Sequence, residues 1–327
     1  PNHTGWDNPW ITKNPEWYTK DSLGNIVDPI NPETGESWGW TDVADLNYDN
    51  SEMRLAMIDA MSFWVKEYGI DGFRCDVTHG VPLDFWQQAT DSLFKIRPIF
   101  MLAETEHPEY RNDKSFVMDY GWSFHHLMNE IAKGDKKAND IDTYLKEDSQ
   151  KYTKGYHMNF TSNHDENTWA GTVFDRMGDA HLALAVLSYT IEGMPLVYSG
   201  QETANRKRLE FFEKDAIVWE GFKYAEFYTI LNDLKHKNSA LWNGEDGGDL
   251  IRINSDNDEN IFAFMRQKEE NRVVVILNLS KKAQEFKLQG ADYVGGYNNI
   301  FAMGTTALAE DMMMNLGPWE YMVLSNN

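Results

Sequence analysis

The chain has 327 residues, 42% apolar and 25% charged, with 15 Tyr, 17 Phe and 12 Trp, which is enough apolar bulk for one or two packed domains and excludes a disordered chain. Its 52 acidic and 30 basic side chains leave a formal charge of −22, a surface that repels phosphate backbones and anionic lipid and so makes nucleic acid and membrane poor partners. The single cysteine excludes an internal disulfide framework and any multi-cysteine metal site, without fixing the compartment.

Residues 1–50 are rich in Pro, Trp and Asn/Asp/Gly turn signals, with tryptophans at Trp6, Trp10, Trp17, Trp38 and Trp40. They read as one long ordered loop, a feature often tied to function. From Ser51 the texture changes. Ser51 with Arg54 makes half a capping box, and Met53, Met57, Met61 and Trp64 recur at helical spacing, predicting a helix to about Tyr68. Strands are then expected at 71–77, 99–105, 116–120, 156–162 and 195–199. Helices are expected at 82–95, 125–133, 141–147, 179–191 and 224–237. Such alternation argues a parallel sheet with helical crossovers, and polar residues after each strand suit a barrel whose loops carry the chemistry. The apolar run at 182–191 is cut by Glu192, Gly193 and Pro195, so nothing spans a bilayer. Past residue 240 the pattern turns to short β runs at 250–254, 261–267, 272–279, 284–288 and 320–324. Asp256, Asp258 and Asn260 mimic the start of a calcium loop, but Ile261 stands where that loop needs Gly, so the segment reads as a hairpin turn.

Three strand ends carry carboxylates. In the strand at 71–77, Gly72, Arg74 and Asp76 share one face and Phe73, Cys75 and Val77 the other. Arg74 and Asp76 could be a structural ion pair, or the guanidinium could keep Asp76 ionised as a nucleophile or metal ligand. Glu104 follows a wholly apolar strand, and Asp165 lies in the cluster Asn163-His164-Asp165-Glu166-Asn167. Taken singly, these fit a loop glutamate and an Asx turn. Together they suit a pocket at the barrel mouth. Three carboxylates there could hold a metal for enediolate chemistry, or two could cleave a glycosidic bond. Arg74 would compete with a metal for Asp76, no lysine ends an expected strand, and the tryptophan-rich loop suits sugar faces, so the second chemistry is favoured. The pair His125-His126 lacks zinc spacing and reads as helix or core.

Gly72-Phe73-Arg74-Cys75-Asp76, Ala103-Glu104 and Asn163-His164-Asp165 resemble, in that order, three short stretches of the α-amylase family of glycoside hydrolases, family 13. Pro1-Asn2-His3, Ala44-Asp45-Leu46-Asn47 and the stretch from Gly193 to Glu202 resemble three more. The resemblance implies a (β/α)8 TIM barrel followed by a C-terminal antiparallel β-sandwich. The expected organisation is a loop domain at 1–50, the rest of the barrel at 51–240 and the β-sandwich at 241–327. The first two barrel strands and most of the third would precede Pro1, so the chain reads as a piece of something longer, and cytoplasmic, periplasmic and secreted locations all stay open. Further implications are a retaining hydrolase of starch-like α-glucans or maltooligosaccharides, cleaving α-1,4 and perhaps α-1,6 bonds. A non-catalytic carbohydrate-binding or assembly protein on the same fold is the alternative.

The resemblance makes Asp76 the nucleophile, Glu104 the general acid and base, and Asp165 the third carboxylate. Arg74, His3 and His164 would bind the sugar. His79 and Gly80 stand where the family usually has Lys and His, which suggests the neopullulanase and cyclomaltodextrinase branch. No cofactor is required by this chemistry, although the resemblance leaves a structural calcium open at Asn2 and Asp45. A homo-oligomer also stays open.

Overall fold

In a computed structural model describing residues 1–327, the stretch expected as one long loop carries short regular elements. Strand β1 (His3–Gly5) pairs antiparallel with β2 (Val43–Asp45), placing His3 opposite Asp45. Between them lies helix α1 (Pro9–Lys13), where Asn8 accepts a hydrogen bond from Trp10 N at 2.9 Å and Pro9 fills the first turn. An Asn cap followed by Pro is a helix-start signal that holds for a single turn. Trp10 and Trp17 meet edge to face at 4.9 Å and pack against the core around Tyr18 and Leu46.

Helix α2 (Ser51–Glu67) begins where expected, but its cap is Asn50 rather than a Ser51–Arg54 box. The Asn50 side-chain oxygen accepts from the amides of Glu52 and Met53 at 3.0 and 3.1 Å. Its buried stripe centres on Ile58, Met61 and Val65, which leaves Trp64 at the edge and about half exposed. Beyond it come β3 (Gly72–Cys75), α3 (Leu83–Phe94), β4 (Phe100–Ala103), α4 (Pro108–Asn112) and β5 (Met118–Tyr120). The strands pair in parallel, Gly72 beside Phe100 and Leu102 beside Met118. Gly72 is needed there, since a Cβ would lie 1.7 Å from the Phe100 carbonyl oxygen. Phe85, Trp86, Ala89 and Leu93 of α3 cover Cys75, Met101 and Ala103, the apolar side of these strands. These elements form one compact unit, Pro1–Tyr120 with Tyr152–Gly155.

The second unit, Gly121–Lys151 with Tyr156–Asn327, starts with α5 (Trp122–Lys133) and α6 (Asp140–Lys151). Strand β6 (Tyr156–Phe160), α7 (Val173–Met177), α8 (His181–Thr190), β7 (Met194–Leu196) and α9 (Ala225–Lys237) follow. Strands β6 and β7 are parallel, with Met158 beside Met194. The most apolar run is α8, a buried helix of ten residues, and no helix is long and apolar enough to cross a membrane.

The remaining strands are β8 (Asp249–Ile253), β9 (Ile261–Lys268), β10 (Asn271–Asn278), β11 (Gln284–Lys287), β12 (Gly295–Asn299), β13 (Thr305–Leu308), β14 (Met313–Leu316) and β15 (Tyr321–Ser325). Six form an antiparallel sheet in the order β13-β12-β15-β10-β9-β8, and β11 pairs with β14. Strands β12, β13 and β14 were not expected, because Gly and Asn in Gly295–Asn299 hide the usual alternation. Strands β9 and β10 are buried on both faces, so they read as unbroken apolar runs. One face packs on Phe286, Leu288 and Leu316, and the other on α5 and α8. Asp258 closes the turn ahead of β9, accepting from Ser255 N at 2.8 Å and pairing with Arg252 at 3.1 Å.

Two buried cations pin this arrangement. Lys235 on α9 donates to the carbonyls of Gly193 and Leu241 at 2.9 and 2.6 Å. Arg266 on β9 donates to Gly248 O and Thr190 O at 2.9 and 3.2 Å. Burial, with Arg266 nearby, pushes Lys235 down to about 7. Between about pH 7 and the ordinary lysine value the unfolded chain therefore holds a proton that the folded chain has released, so this group's contribution to stability rises with pH across that window. Lys235→Met strands two carbonyls and is expected to cost roughly 2–4 kcal/mol. Urea denaturation read at several pH values would show the lower midpoint and the loss of that pH slope.

Candidate active site

Strand β3 ends at Cys75, and the next two residues make the site. Val77 sits in the left-handed region at φ 42°, an uncommon conformation for a β-branched residue. The turn aims the Val77 amide at Glu104 Oε2, 2.9 Å away. Glu104 N donates to Cys75 O at 2.9 Å, and Thr78 N to Glu104 O at 3.3 Å. Trp86 anchors the same turn from α3 by donating to Thr78 O at 3.1 Å. The backbones carrying Asp76 and Glu104 are thus laced together.

Arg74 joins the side chains. Its Nη1 donates to Asp76, its Nη2 meets Glu104 Oε1 at 2.5 Å, and its Nε donates to Tyr120 OH at 3.1 Å. Each carboxyl also lies close enough to the other to shift its proton affinity. One guanidinium fork thus draws both carboxyls toward itself. The Asp76 side chain is 51% exposed and that of Glu104 14%. A purely structural ion pair has no need of such access.

The environments push the two acids apart. Burial alone would raise Asp76, but the hydrogen bond and charge of Arg74, with help from Glu104 and His3, hold its carboxyl below the usual range. For Glu104 burial outweighs Arg74 and the Val77 amide, and Asp76 adds to it, so its carboxyl is pushed up to about 7. One carboxylate and one carboxylic acid side by side near neutrality is the pattern of an acid–base assignment. Arg74 is pulled down by burial but raised overall by Tyr120 and Glu104, so it stays charged.

His3 sits close enough to Asp76 for each to influence the other's charge, and its Nδ1 lies 3.1 Å from Asn2 Oδ1. A run of rings leads away from it. Trp40 meets His3 at 5.9 Å, Trp38 lies 4.6 Å from Trp40, and His79 lies 5.9 Å from Trp38 and stacks on His107 at 5.2 Å. The tryptophans of the first fifty residues therefore divide: Trp10 and Trp17 belong to the core, Trp38 and Trp40 to this run. A histidine at Gly80 would require its neighbours to shift, since a Cβ would meet Asn2 Nδ2 at 2.7 Å and the Trp38 ring at 3.2 Å.

Of the residues named for calcium, Asn2 immediately precedes β1 and Asp45 closes β2. Asn2 Nδ2 donates to Gly80 O at 3.1 Å, and Asn2 Oδ1 lies 3.1 Å from His3 Nδ1. Burial pushes Asp45 up to about 6 against a hydrogen bond from Thr19.

In the second unit β6 ends at Phe160, and His164 and Asp165 follow, with His164 Nε2 3.3 Å from Asp165 Oδ2. Buried Asn163 accepts from Glu166 N at 2.7 Å and opens a π-helical turn, Glu166–Ala170. His125 is buried in α5 as expected, yet it also has a task. Its Nε2 lies 2.9 Å from Glu166 Oε2, its Nδ1 2.9 Å from Phe160 O, and its ring stacks on Phe160 at 4.7 Å. The His125 hydrogen bond, ahead of Arg176, keeps Glu166 below the ordinary range, while burial holds His125 down. The residue after Asp165 is thereby locked in place.

The structure thus brings His3, Arg74, Asp76 and Glu104 together in the first unit and pairs His164 with Asp165 in the second. Sequence reasoning missed Tyr120, the Val77 amide and His125. Tyr120 was within reach of the strand-end rule, since it closes β5 as its neighbours close β3 and β4.

The family profile described as "Alpha amylase, catalytic domain" matches residues 38–249, and "Maltogenic Amylase, C-terminal domain" matches 251–323. The chain is 26% identical over 298 residues to "Alpha-amylase MalA" of Haloarcula japonica, covering 86% of this chain and 41% of that protein. It is 26% identical over 265 residues to "Neopullulanase 2" of Thermoactinomyces vulgaris, covering 75% and 43%. The crystal structure of a "noncanonic maltogenic alpha-amylase AmyB" from Thermotoga neapolitana superposes with a TM-score of 0.84 at 26% identity, over 99% of this chain and 75% of that one. The fold is that of a TIM-barrel catalytic domain followed by an antiparallel β domain. The chain spans about half the length of the curated relatives it matches.

Proposed function

The chain belongs to the α-amylase family of glycoside hydrolases, family 13, and on that premise we propose that it carries the chemistry of a retaining α-glycoside hydrolase acting on starch-like α-glucans or maltooligosaccharides. One observation supports this above the others: a single guanidinium holds two carboxyls, one kept ionised and one raised to about 7.

Asp76 attacks the anomeric carbon as the glycosidic oxygen departs with the Glu104 proton, leaving a glycosyl ester on Asp76. Glu104, now a carboxylate, takes a proton from water, and that oxygen attacks the anomeric carbon and frees Asp76. Two displacements restore the α configuration. Arg74 keeps the nucleophile ionised and turned toward the sugar, with Tyr120 bracing the guanidinium. His3, His164 and Asp165 take the role of grips on sugar hydroxyls, strongest as the ring flattens toward the oxocarbenium. Trp40, Trp38 and the His79–His107 stack offer ring faces to an acceptor sugar, so the departure at His79 and Gly80 points to cleavage of α-1,6 as well as α-1,4 bonds.

Incubation with maltoheptaose or a chromogenic maltoside tests the proposal. Expected is release of shorter sugars whose new reducing ends are first formed as α anomers by proton NMR, with turnover unchanged by a chelator. First-formed β anomers would overturn the double displacement. Sugar binding without turnover would favour the non-catalytic alternative.

A further inference from the structure

Beside His164 and Asp165 the protein displays a set of exposed rings that the mechanism above does not use. Trp169 is 58% exposed and Phe212 78%, with Phe211 at 40%. Phe211 stacks on His164 at 6.1 Å and 24°. Trp169 lies 5.1 Å from Phe211, and Phe212 lies 4.9 Å from Phe211 and 6.3 Å from Trp169. The rings form a continuous shelf running outward from His164.

Exposed aromatic side chains in contact with one another cost solvation unless something covers them. Here they are also held rigidly. Trp169 lies on the π-helical turn Glu166–Ala170, a rare geometry that occurs often at functional sites. That turn is stitched to the segment bearing Phe211 and Phe212. Thr168 Oγ1 donates to Leu209 O at 2.8 Å, Leu209 N to Asn167 Oδ1 at 2.9 Å, and Arg208 to the carbonyls of Thr168 and Trp169, the latter at 2.9 Å. The far end of the turn is locked by His125 and Glu166. With backbone and side chains tied on both sides, the rings are set before any ligand arrives, and little ordering cost remains.

We propose that Trp169, Phe211 and Phe212 form a binding shelf for an α-glucan chain, extending the sugar site outward from His164 and Asp165 and selecting long maltooligosaccharides over short ones. The inference rests on the hydrolase reading for the identity of the sugar. The chemistry of the patch favours a sugar over a protein partner. The core of a protein interface is depleted of charge, whereas these rings are interleaved with Asp165, Arg208, Glu210 and Glu213, with Glu210 and Glu213 open to solvent. Apolar faces alternating with hydrogen-bonding groups match the two kinds of surface on a glucose ring. A phosphorylated or otherwise anionic ligand is disfavoured by the −22 charge.

The double variant Trp169→Ala/Phe212→Ala removes exposed side chains and leaves no cavity, so its melting temperature should match the parent's. Calorimetric titration with maltoheptaose should show affinity weakened about tenfold, and the KM for maltoheptaose should rise in proportion. The kcat on a short chromogenic maltoside should stay at the parent value. Titration of the parent should also quench tryptophan fluorescence, and Trp169→Phe should remove that part of the signal. Unchanged affinity and KM for maltoheptaose would overturn the shelf while leaving the hydrolase reading intact. Binding of maltoheptaose that depends on Trp169, in a protein that cleaves no glucan, would sink the hydrolase reading and keep the shelf. Concentration-dependent self-association abolished by the double variant, with glucan affinity unmoved, would reassign the patch to a protein contact and overturn the proposal.

Discussion

Asp76→Asn is expected to lower kcat/KM for maltoheptaose by roughly 10⁴-fold or more, with the melting temperature almost unmoved. Asn keeps the shape of Asp and can still accept from Arg74 through its amide oxygen, and the side chain is half exposed, so packing changes little. What disappears is the negative charge that, in the proposed mechanism, attacks carbon. The loss should be as severe on an activated aryl maltoside as on a glucan, because no leaving group compensates for a missing nucleophile. Steady-state rates on both substrates, with circular dichroism as the folding control, provide the check. Activity within tenfold of the parent would remove Asp76 from the reaction.

Glu104→Gln should behave differently. Without a proton donor, cleavage of a glucan is expected to slow by about 10²–10⁴-fold. An aryl maltoside whose phenol leaves readily needs no such proton, so its first displacement should lose far less. The same residue sets the alkaline limb of the pH profile. Glu104 is held up to about 7 by burial and by Asp76, so it is protonated below that value and loses its proton above it. The kcat/KM for glucan should therefore fall about tenfold per pH unit above neutrality. The acid limb should belong to Asp76, whose carboxyl lies below the ordinary range, and the plateau should extend well into mild acid. For stability the sign is the opposite of an ordinary ion-paired carboxylate. Between the ordinary glutamate value and about 7 the folded chain binds a proton the unfolded chain has lost, so this group's contribution fades as pH rises through that window. An alkaline limb that persists unchanged in Glu104→Gln would assign it to another group.

Several features of the site were open to reading because they are local. Gly72, Arg74 and Asp76 fall on one face of a strand by simple alternation, and Glu104 follows the three buried residues that end β4. Strand ends in a parallel α/β sheet gather on one side, which is why a carboxylate at such a position carries meaning. The partners were not local. Tyr120 lies 46 residues from Arg74 in sequence, and the hydrogen bond between them exists only because β3, β4 and β5 lie in register. The loop at residues 1–50 was hard to read for the reverse reason. Its strands are three residues long, too short for alternation to register, and they form because they pair with each other across about forty residues. Strands β12 and β13 likewise owe their existence to a neighbour, since Gly295-Gly296-Tyr297-Asn298-Asn299 has little intrinsic preference for extended backbone.

Residue order by itself determined the family, the alternation of strand and helix, and which acids stand at strand ends, because these depend on side-chain type and on spacing along a few residues. Tertiary structure alone decided the opposite shifts of Asp76 and Glu104, the left-handed turn at Val77 that hands an amide to Glu104, and the locking of Glu166 by His125. A proton's affinity and a hydrogen bond depend on distance and on the water excluded around a group, and both are set by residues that meet only when the chain has folded.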